Sequence, residues 1–345
     1  MPAGNLSKTL RFFIDVMGFR LDSITPADDP AFARLSGHGL RLRLDVAYRG
    51  DPGTLLLCTG GNRQREAMTA PNGTRIEFGT ATQSSVIPEL QPGLSLQRFD
   101  DREDDWKSGR AGMQYRDLIP DRLGGYLIAS HIRIPKGGPV ADNVHYHDIR
   151  FQLIYCYRGW VRLVYEDQGE PFVMRPGDCV LQPSHIRHRV LESSDGLEVI
   201  EIASPAAHMT YLDHDMRLPT GRHLPKRDYS GQSFVFYCAD EAPWEDKRES
   251  GFAVRDLGIA EATKGLAAAK VIRPTATCEF AGEPATRSKA FAFTFVLRGQ
   301  LILLTDGRSE TSLTAGDIFV IPAGLRRGFK TCSEDLELLE VTLPA

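Results

Sequence analysis

The 345-residue chain is predicted to be mainly β, with two copies of one β-barrel preceded by a smaller α+β module. Three observations predict this. First, Arg158-Gly159 is followed 18 residues later by Gly177-Asp178 and six beyond that by Pro183, and Arg298-Gly299 is followed 17 residues later by Gly316-Asp317 and six beyond that by Pro322. A period near 140 residues is too long for a solenoid and suits a duplicated domain. Second, each opening glycine follows an aromatic and aliphatic run, Phe151–Tyr157 or Phe291–Leu297, as a buried strand requires. Third, the first 85 residues carry one helix pattern followed by short strand patterns, a different rhythm from the rest.

In chain order, residues 5–18 predict a helix. Asn5 or Ser7 can cap it, Leu6, Leu10, Phe13, Ile14 and Met17 form an apolar stripe, and Gly18 stops it. Strands are expected near 19–24, 31–36, 39–46 and 54–58, and again at 74–78 after the Pro71-Asn72-Gly73 turn. Residues 82–110, with two Pro and the acidic run from Asp100 to Asp105, are expected to be a boundary. The first barrel is placed at 106–215 and the second at 251–345. The irregular stretch 206–250, holding Pro219, Gly221, Pro225, Gly231 and Pro243, is expected to cross between them.

Composition sets outer limits. A net charge of −4, with 42% hydrophobic and 25% charged residues, gives no basic surface for nucleic acid or an anionic membrane. No basic-then-apolar leader and no membrane-length apolar run is present, so a cytoplasmic protein is expected. The six Cys have no CxxC spacing and fall mostly in apolar strands, as buried thiols of a reducing compartment would.

Chemistry concentrates between residues 145 and 188. His145 and His147 are two apart on a strand and share a face. His188, after a Pro-Gly turn, can return across a barrel to meet them. Three converging imidazoles suit a divalent transition metal. Gln152, Ile154 and Cys156 share one face of the next strand, with Tyr155 facing away. Arg187 and His185 are candidates to meet a substrate carboxylate, although His185 also suits a loop position in place of a glycine. Glu192, two positions past Val190, is the candidate proton shuttle, with Glu201 second. His208, His214 and His223 are read as surface or linker residues.

Two resemblances sharpen this reading. Residues Phe12 to Phe19, the Leu35-Ser36-Gly37-His38-Gly39 turn and Ala70 to Phe78 resemble one βαβββ module of the glyoxalase/bleomycin-resistance (vicinal oxygen chelate) superfamily. In metal-binding members of that family the carboxylate at the Glu77 position is a ligand. Only four residues precede the helix here, where the family places a first strand, so Glu77 is expected to be a strand-end carboxylate and His38 a turn residue.

Residues 106–345 resemble a bicupin, the double-stranded β-helix of the cupin superfamily in tandem. The first cupin motif is matched by Gly138, His145, His147, Gln152 and Gly159, and the second by Gly177, Pro183, His185 and His188. The resemblance implies that His145, His147 and His188 hold the metal. Gln152 stands where cupins usually place Glu, and would complete the shell or bond a water or substrate beside it. Iron(II) is the metal expected first, with manganese, nickel, cobalt or zinc as alternatives. The second copy places Ala285 and Arg287 at the HxH positions, Ala292 at the Gln152 position and Arg327 at the His188 position, so it should bind no metal. Arg287 and Arg327 would hold an anion if they faced inward.

Three functions remain open on this reading. One is a dioxygenase cleaving a carbon–carbon bond of a chelating aromatic or β-diketone substrate, with Gln152, Arg187 and Glu192 as catalytic candidates. The second is a non-redox isomerase, lyase or decarboxylase acting on a sugar acid or keto acid. The third is a small-ligand-binding or regulatory module. The expected partners are an anionic, chelating small molecule and a second copy of the chain, since a single βαβββ module leaves a sheet face or edge to cover.

Overall fold

The structure is a computed structural model and describes residues 1–58, 66–79, 86–100, 105–247, 251–275, 278–279 and 291–343. It divides into two compact units, 1–84 and 85–345.

In the first unit Asn5 caps the helix Leu6–Arg11 by accepting from the Lys8 amide at 3.0 Å. The last turn, Phe12–Val16, widens, and the Met17 amide donates to the Phe12 carbonyl five residues back. Gly18, at φ +74°, ends it. Three antiparallel strands follow, Arg20–Thr25, Phe32–Gly37 and Leu40–Asp45, paired in that order. Ahead of the helix, Pro2 makes a parallel bridge to Asp45. A second sheet pairs Thr54–Cys58 parallel with Arg75–Gly79, and the latter antiparallel with Met68–Thr69. Phe13, Phe19, Leu35, Leu44 and Ile76 pack as the core of this unit.

The second unit holds two pairs of sheets. In the first pair, a seven-stranded sheet runs Val235–Tyr237, Cys179–Leu181, Phe151–Arg158, Leu197–Ser204, Ile128–Ile134, Gln114–Asp117, Lys107–Ser108. Its companion runs Phe172–Met174, Val161–Tyr165, His188–Ser193, His145–Asp148, Met209–Leu212. In the second pair, the large sheet runs Ser95–Gln97, Ile318–Pro322, Phe291–Arg298, Glu337–Leu343, Ala268–Pro274, Phe252–Asp256, Glu245–Lys247. The strand order of the two large sheets is the same.

Side-chain alternation along each central strand serves two cores. Phe151, Leu153 and Tyr155 point out of the first half and pack with Phe291, Phe293 and Phe295 of the second. The intervening Cys156 points into the first half with Val161, Leu163, Tyr165 and Met174. These strands are mostly apolar on both faces because both faces are buried, Gln152 being the polar exception on the inner face of the first. Each fully buried Phe contributes on the order of 1.5–3 kcal/mol of transfer free energy.

The repeated Arg-Gly and Gly-Asp pairs have structural causes. Gly159 and Gly299 turn at φ +70° and +75°, and a Cβ there would meet the Cα of Leu197 at 3.1 Å or of Leu336 at 2.8 Å. The aspartates anchor an exchange of edge strands. Ser95–Gln97 precedes the first half in the chain yet pairs with Ile318–Pro322 of the second, and Asp317 Oδ1 accepts from the Phe99 amide at 2.6 Å. Val235–Tyr237 precedes the second half yet pairs with Cys179–Leu181 of the first, and Asp178 Oδ1 accepts from the Ala239 amide at 2.8 Å. Part of the segment expected to be a mere boundary, 82–110, is therefore a strand of the second half. Short polar residues disguise it, since an edge strand needs little apolar surface.

Candidate metal centre

His145 and His147 lie on the strand His145–Asp148, and His188 opens the strand His188–Ser193. His145 and His188 are directly opposed across that antiparallel pair, with ring centroids 4.1 Å apart. The His147 ring lies 5.3 Å from each. The candidate ligand atoms of all three lie within 4.8 Å of one another. Each Nδ1 is engaged: His145 with the Asn143 carbonyl at 2.8 Å, His188 with the Ile186 carbonyl at 3.0 Å, and His147 with Thr210 Oγ1 at 2.9 Å. Nδ1 of His145 and of His188 must carry the proton to donate to a carbonyl, which leaves Nε2 as the lone-pair donor. Outer bonds of this kind fix ring orientation and tautomer in metal sites. Burial holds all three pKa values down, that of His147 to about 2, where the neighbouring His145, His208 and Arg110 add to the effect. The trio is thus neutral at physiological pH, the form that binds metal. The donor set fits a divalent transition metal.

A buried amide chain extends from the trio. Gln182 Nε2 lies 3.0 Å from His188 Nε2 and donates to Gln152 Oε1 at 2.9 Å. Gln152 Nε2 donates to Glu201 Oε1 at 2.6 Å, and Tyr165 donates its hydroxyl proton to Gln182 Oε1 at 2.6 Å. These groups line a cavity of about 440 Å³, within the range of ligand sites. Most of the remaining wall is apolar, including Met113, Ile132, Ile154, Leu163, Met174 and Val199.

The structure brings His145, His147, His188, Gln152 and Ile154 together. Other expectations need correction. Arg187 is outside the cavity: its Nε bonds Asp213 at 3.1 Å and its guanidinium stacks 4.1 Å over the Tyr146 ring. Glu192 is outside too, paired with Arg162 at 3.4 Å. A register shift sets Arg162 opposite Glu192 but Leu163 opposite Val190. That bulge reverses the inward alternation that would have carried Glu192 in after Val190. Glu201, the second choice, is the carboxylate that lines the cavity. His208, read as a linker residue, lines it as well, its ring 5.5 Å from that of His147. Cys156 is a packed core thiol whose pKa burial raises to about 12. His185 adopts φ +63°, the conformation of the glycine it replaces.

Sequence reasoning missed Arg110, Asp142, Gln182 and Thr210. Arg110 Nη1 pairs with Asp142 Oδ1 at 2.9 Å, and its Nη2 is in hydrogen-bond contact with His145 Nε2. Asp142 is held by the Asn143 amide at 2.9 Å and the Val190 amide at 3.0 Å.

In the second half, positions 285 and 287 lie outside the described residues. Ala292 is buried in the strand Phe291–Arg298. Arg327 does face inward, and the anion it holds is the chain's own: its Nη2 donates to Glu340 at 2.5 Å, and Lys270 Nζ reaches the same carboxylate at 3.1 Å. Glu340 opposes Thr294 as Glu201 opposes Ile154, so a cation pair neutralises the buried carboxylate there. In the first unit, Glu77 pairs with Arg75 at 2.7 Å, and His38, at φ +53°, sits with Nε2 2.6 Å from the Met17 carbonyl.

The match to a known family falls on the first pair of sheets, the one that carries the His trio. Residues 130–202 match the Cupin domain family. A salicylate 1,2-dioxygenase from Pseudaminobacter salicylatoxidans is similar in structure, at a TM-score of 0.55 and 17% identity over 75% of this chain and 86% of that one. An oxalate decarboxylase from Lactobacillus farciminis is similar at a TM-score of 0.52 and 15% identity, over 75% of this chain and 87% of that one. At such identities the likeness shows a common fold. No curated protein matches the sequence. No helix among the described residues is long and apolar enough to cross a membrane.

Proposed function

We propose that the chain is a metal-dependent cupin oxygenase, a non-haem iron(II) dioxygenase that cleaves a carbon–carbon bond of a chelating aromatic or β-diketone-type substrate. The observation that carries the proposal is the neutral His145–His147–His188 trio, oriented through its Nδ1 atoms, at the wall of a mostly apolar cavity. When bound, iron(II) supplies a redox-active centre that three neutral ligands leave strongly electrophilic, with coordination positions free. The protein's own groups do the rest. The apolar wall excludes water and takes a hydrophobic body. Gln182 fixes Gln152 beside His188, and Gln152 in turn fixes the Glu201 carboxylate.

The similarity to a salicylate dioxygenase agrees with this reading. The second half is read as a tandem cupin barrel without metal, the N-terminal unit as a glyoxalase-like structural module, and the assembly as a cytoplasmic homodimer. One observation favours a second reading, a non-redox decarboxylase or isomerase: Glu201 lines the cavity and could shuttle a proton.

The test is metal content by plasma mass spectrometry on protein purified without added metal or chelator, beside His147→Ala. About one iron per chain, lost in the variant, with oxygen consumed on adding diketones or hydroxylated aromatic acids, supports the oxygenase. Stoichiometric metal with turnover but no oxygen uptake moves the assignment to the second reading. A wild type that binds no metal after reconstitution sinks both.

A further inference from the structure

Arg187, expected to meet a substrate carboxylate, lies outside the cavity, paired with Asp213. Among the described residues, Arg110 is the one Arg or Lys side chain lining the cavity. It occupies two partners at once: Nη1 on Asp142, and Nη2 against His145 Nε2. That Nε2 lone pair is the one His145 offers a metal, because its Nδ1 is committed to Asn143. A guanidinium and a metal ion cannot use one lone pair, and their charges repel. When the metal is bound, Nη2 has to leave His145. Nη1 can stay, since Asp142 is wholly buried and pinned by two backbone amides. Arg110 itself is 40% exposed and sits on a short turn, Arg110–Gly112, with Ala111 at φ +54° and Gly112 at φ +77°. The side chain therefore has room to pivot about Asp142, presenting a free N–H edge beside the metal and facing the apolar wall.

We propose that Arg110 is the anion-recognition residue of this site, and that the substrate is a carboxylate carried on a hydrophobic, ring-sized body. The proposal rests on the metal-centre reading above. A guanidinium matches a carboxylate through parallel N–H donors, and among the described residues the cavity offers no second Arg or Lys to share the role.

The experiment compares wild type, Arg110→Met and Arg110→Lys, with thermal melts confirming folding. Co(II) is titrated by visible absorption. Benzoate and benzamide, equal in size but differing in charge, are then titrated calorimetrically into cobalt-loaded protein. In the wild type benzoate should bind at least tenfold tighter than benzamide. Arg110→Met should lose about tenfold or more in benzoate affinity, as for loss of a hydrogen bond to a charged group, and leave benzamide unchanged. The same variant should bind Co(II) several-fold tighter, because the competitor for His145 is gone. Arg110→Lys should keep part of the benzoate preference. Benzoate bound equally by wild type and Arg110→Met overturns the proposal, as does weaker Co(II) binding by Arg110→Met, which would make Arg110 a support for His145. Failure of wild type to bind Co(II) at all overturns the metal reading itself and this proposal with it.

Discussion

Arg327→Met tests the buried ion pair of the second half. The substitution keeps most of the aliphatic volume and removes the charge that reaches Glu340 at 2.5 Å. The Glu340 side chain is 1% exposed, so its carboxylate cannot recover solvation by moving. Breaking a buried pair by deleting one partner costs about 3–5 kcal/mol. Lys270 remains 3.1 Å from the same carboxylate, which puts the expected loss near the lower end, about 3 kcal/mol. For a folding unit of this size that is a fall in Tm of roughly 6–12 °C. Adding Glu340→Leu removes the stranded charge, and replacing a buried ion pair by apolar groups is often neutral. The double variant should therefore recover most of the loss. Urea unfolding followed by tryptophan fluorescence and circular dichroism measures both, the two probes separating the transitions of the two compact units. A single variant within about 1 kcal/mol of wild type, or a double variant no better than the single, refutes the account.

Three further outcomes are expected. Gln182→Leu leaves the Tyr165 hydroxyl and Gln152 without their partner and should cost about 1–3 kcal/mol in stability. It should also tighten metal binding several-fold, measured by competition with a chelator, because the amide against His188 Nε2 is gone; weaker binding would instead make the amide chain a support for His188. Asp178→Ala and Asp317→Ala each strip a backbone amide, the buried one of Ala239 or the half-buried one of Phe99, and should cost about 1–3 kcal/mol apiece, with faster hydrogen exchange confined to the exchanged edge strand. Acid should weaken the fold through His131 and Glu198, joined at 2.8 Å. Burial lowers the His131 pKa, so below pH ~6.5 the unfolded chain takes up the proton first. The Glu198 carboxyl is also lowered, its bond to His131 and the Arg158 charge outweighing burial, so below pH ~4.5 the unfolded chain is again the better proton acceptor. Both contributions are whole near neutrality and shrink as pH falls. Urea midpoints should decline from pH 7.5 to 5, less steeply in His131→Gln; equal slopes would remove His131 from the explanation.

The His trio was legible because period-two alternation and the reach across one β-sandwich are local rules. Those rules put His145 and His147 on one face, aimed Gln152 and Ile154 inward and turned Tyr155 out, whatever the rest of the chain did. The repeat offset likewise placed Ala292 and Arg327 at the positions of Gln152 and His188 in the first half. Only the tertiary structure could place Arg110, Asp142 and Thr210, because each reaches the trio from another element and none carries a signal in its own neighbourhood. A single bulge turned Glu192 outward, since one extra residue inverts the facings beyond it on that strand, whereas Glu201 faces inward opposite Ile154 on another strand. His208 entered the cavity through the pairing of Met209–Leu212 with His145–Asp148, and the edge strands crossed between halves through the aspartates of the Gly-Asp pairs. Spacing along the chain determines which side chains can share a face; which faces meet depends on pairings between distant segments, and those are set by the free energy of the whole assembled core.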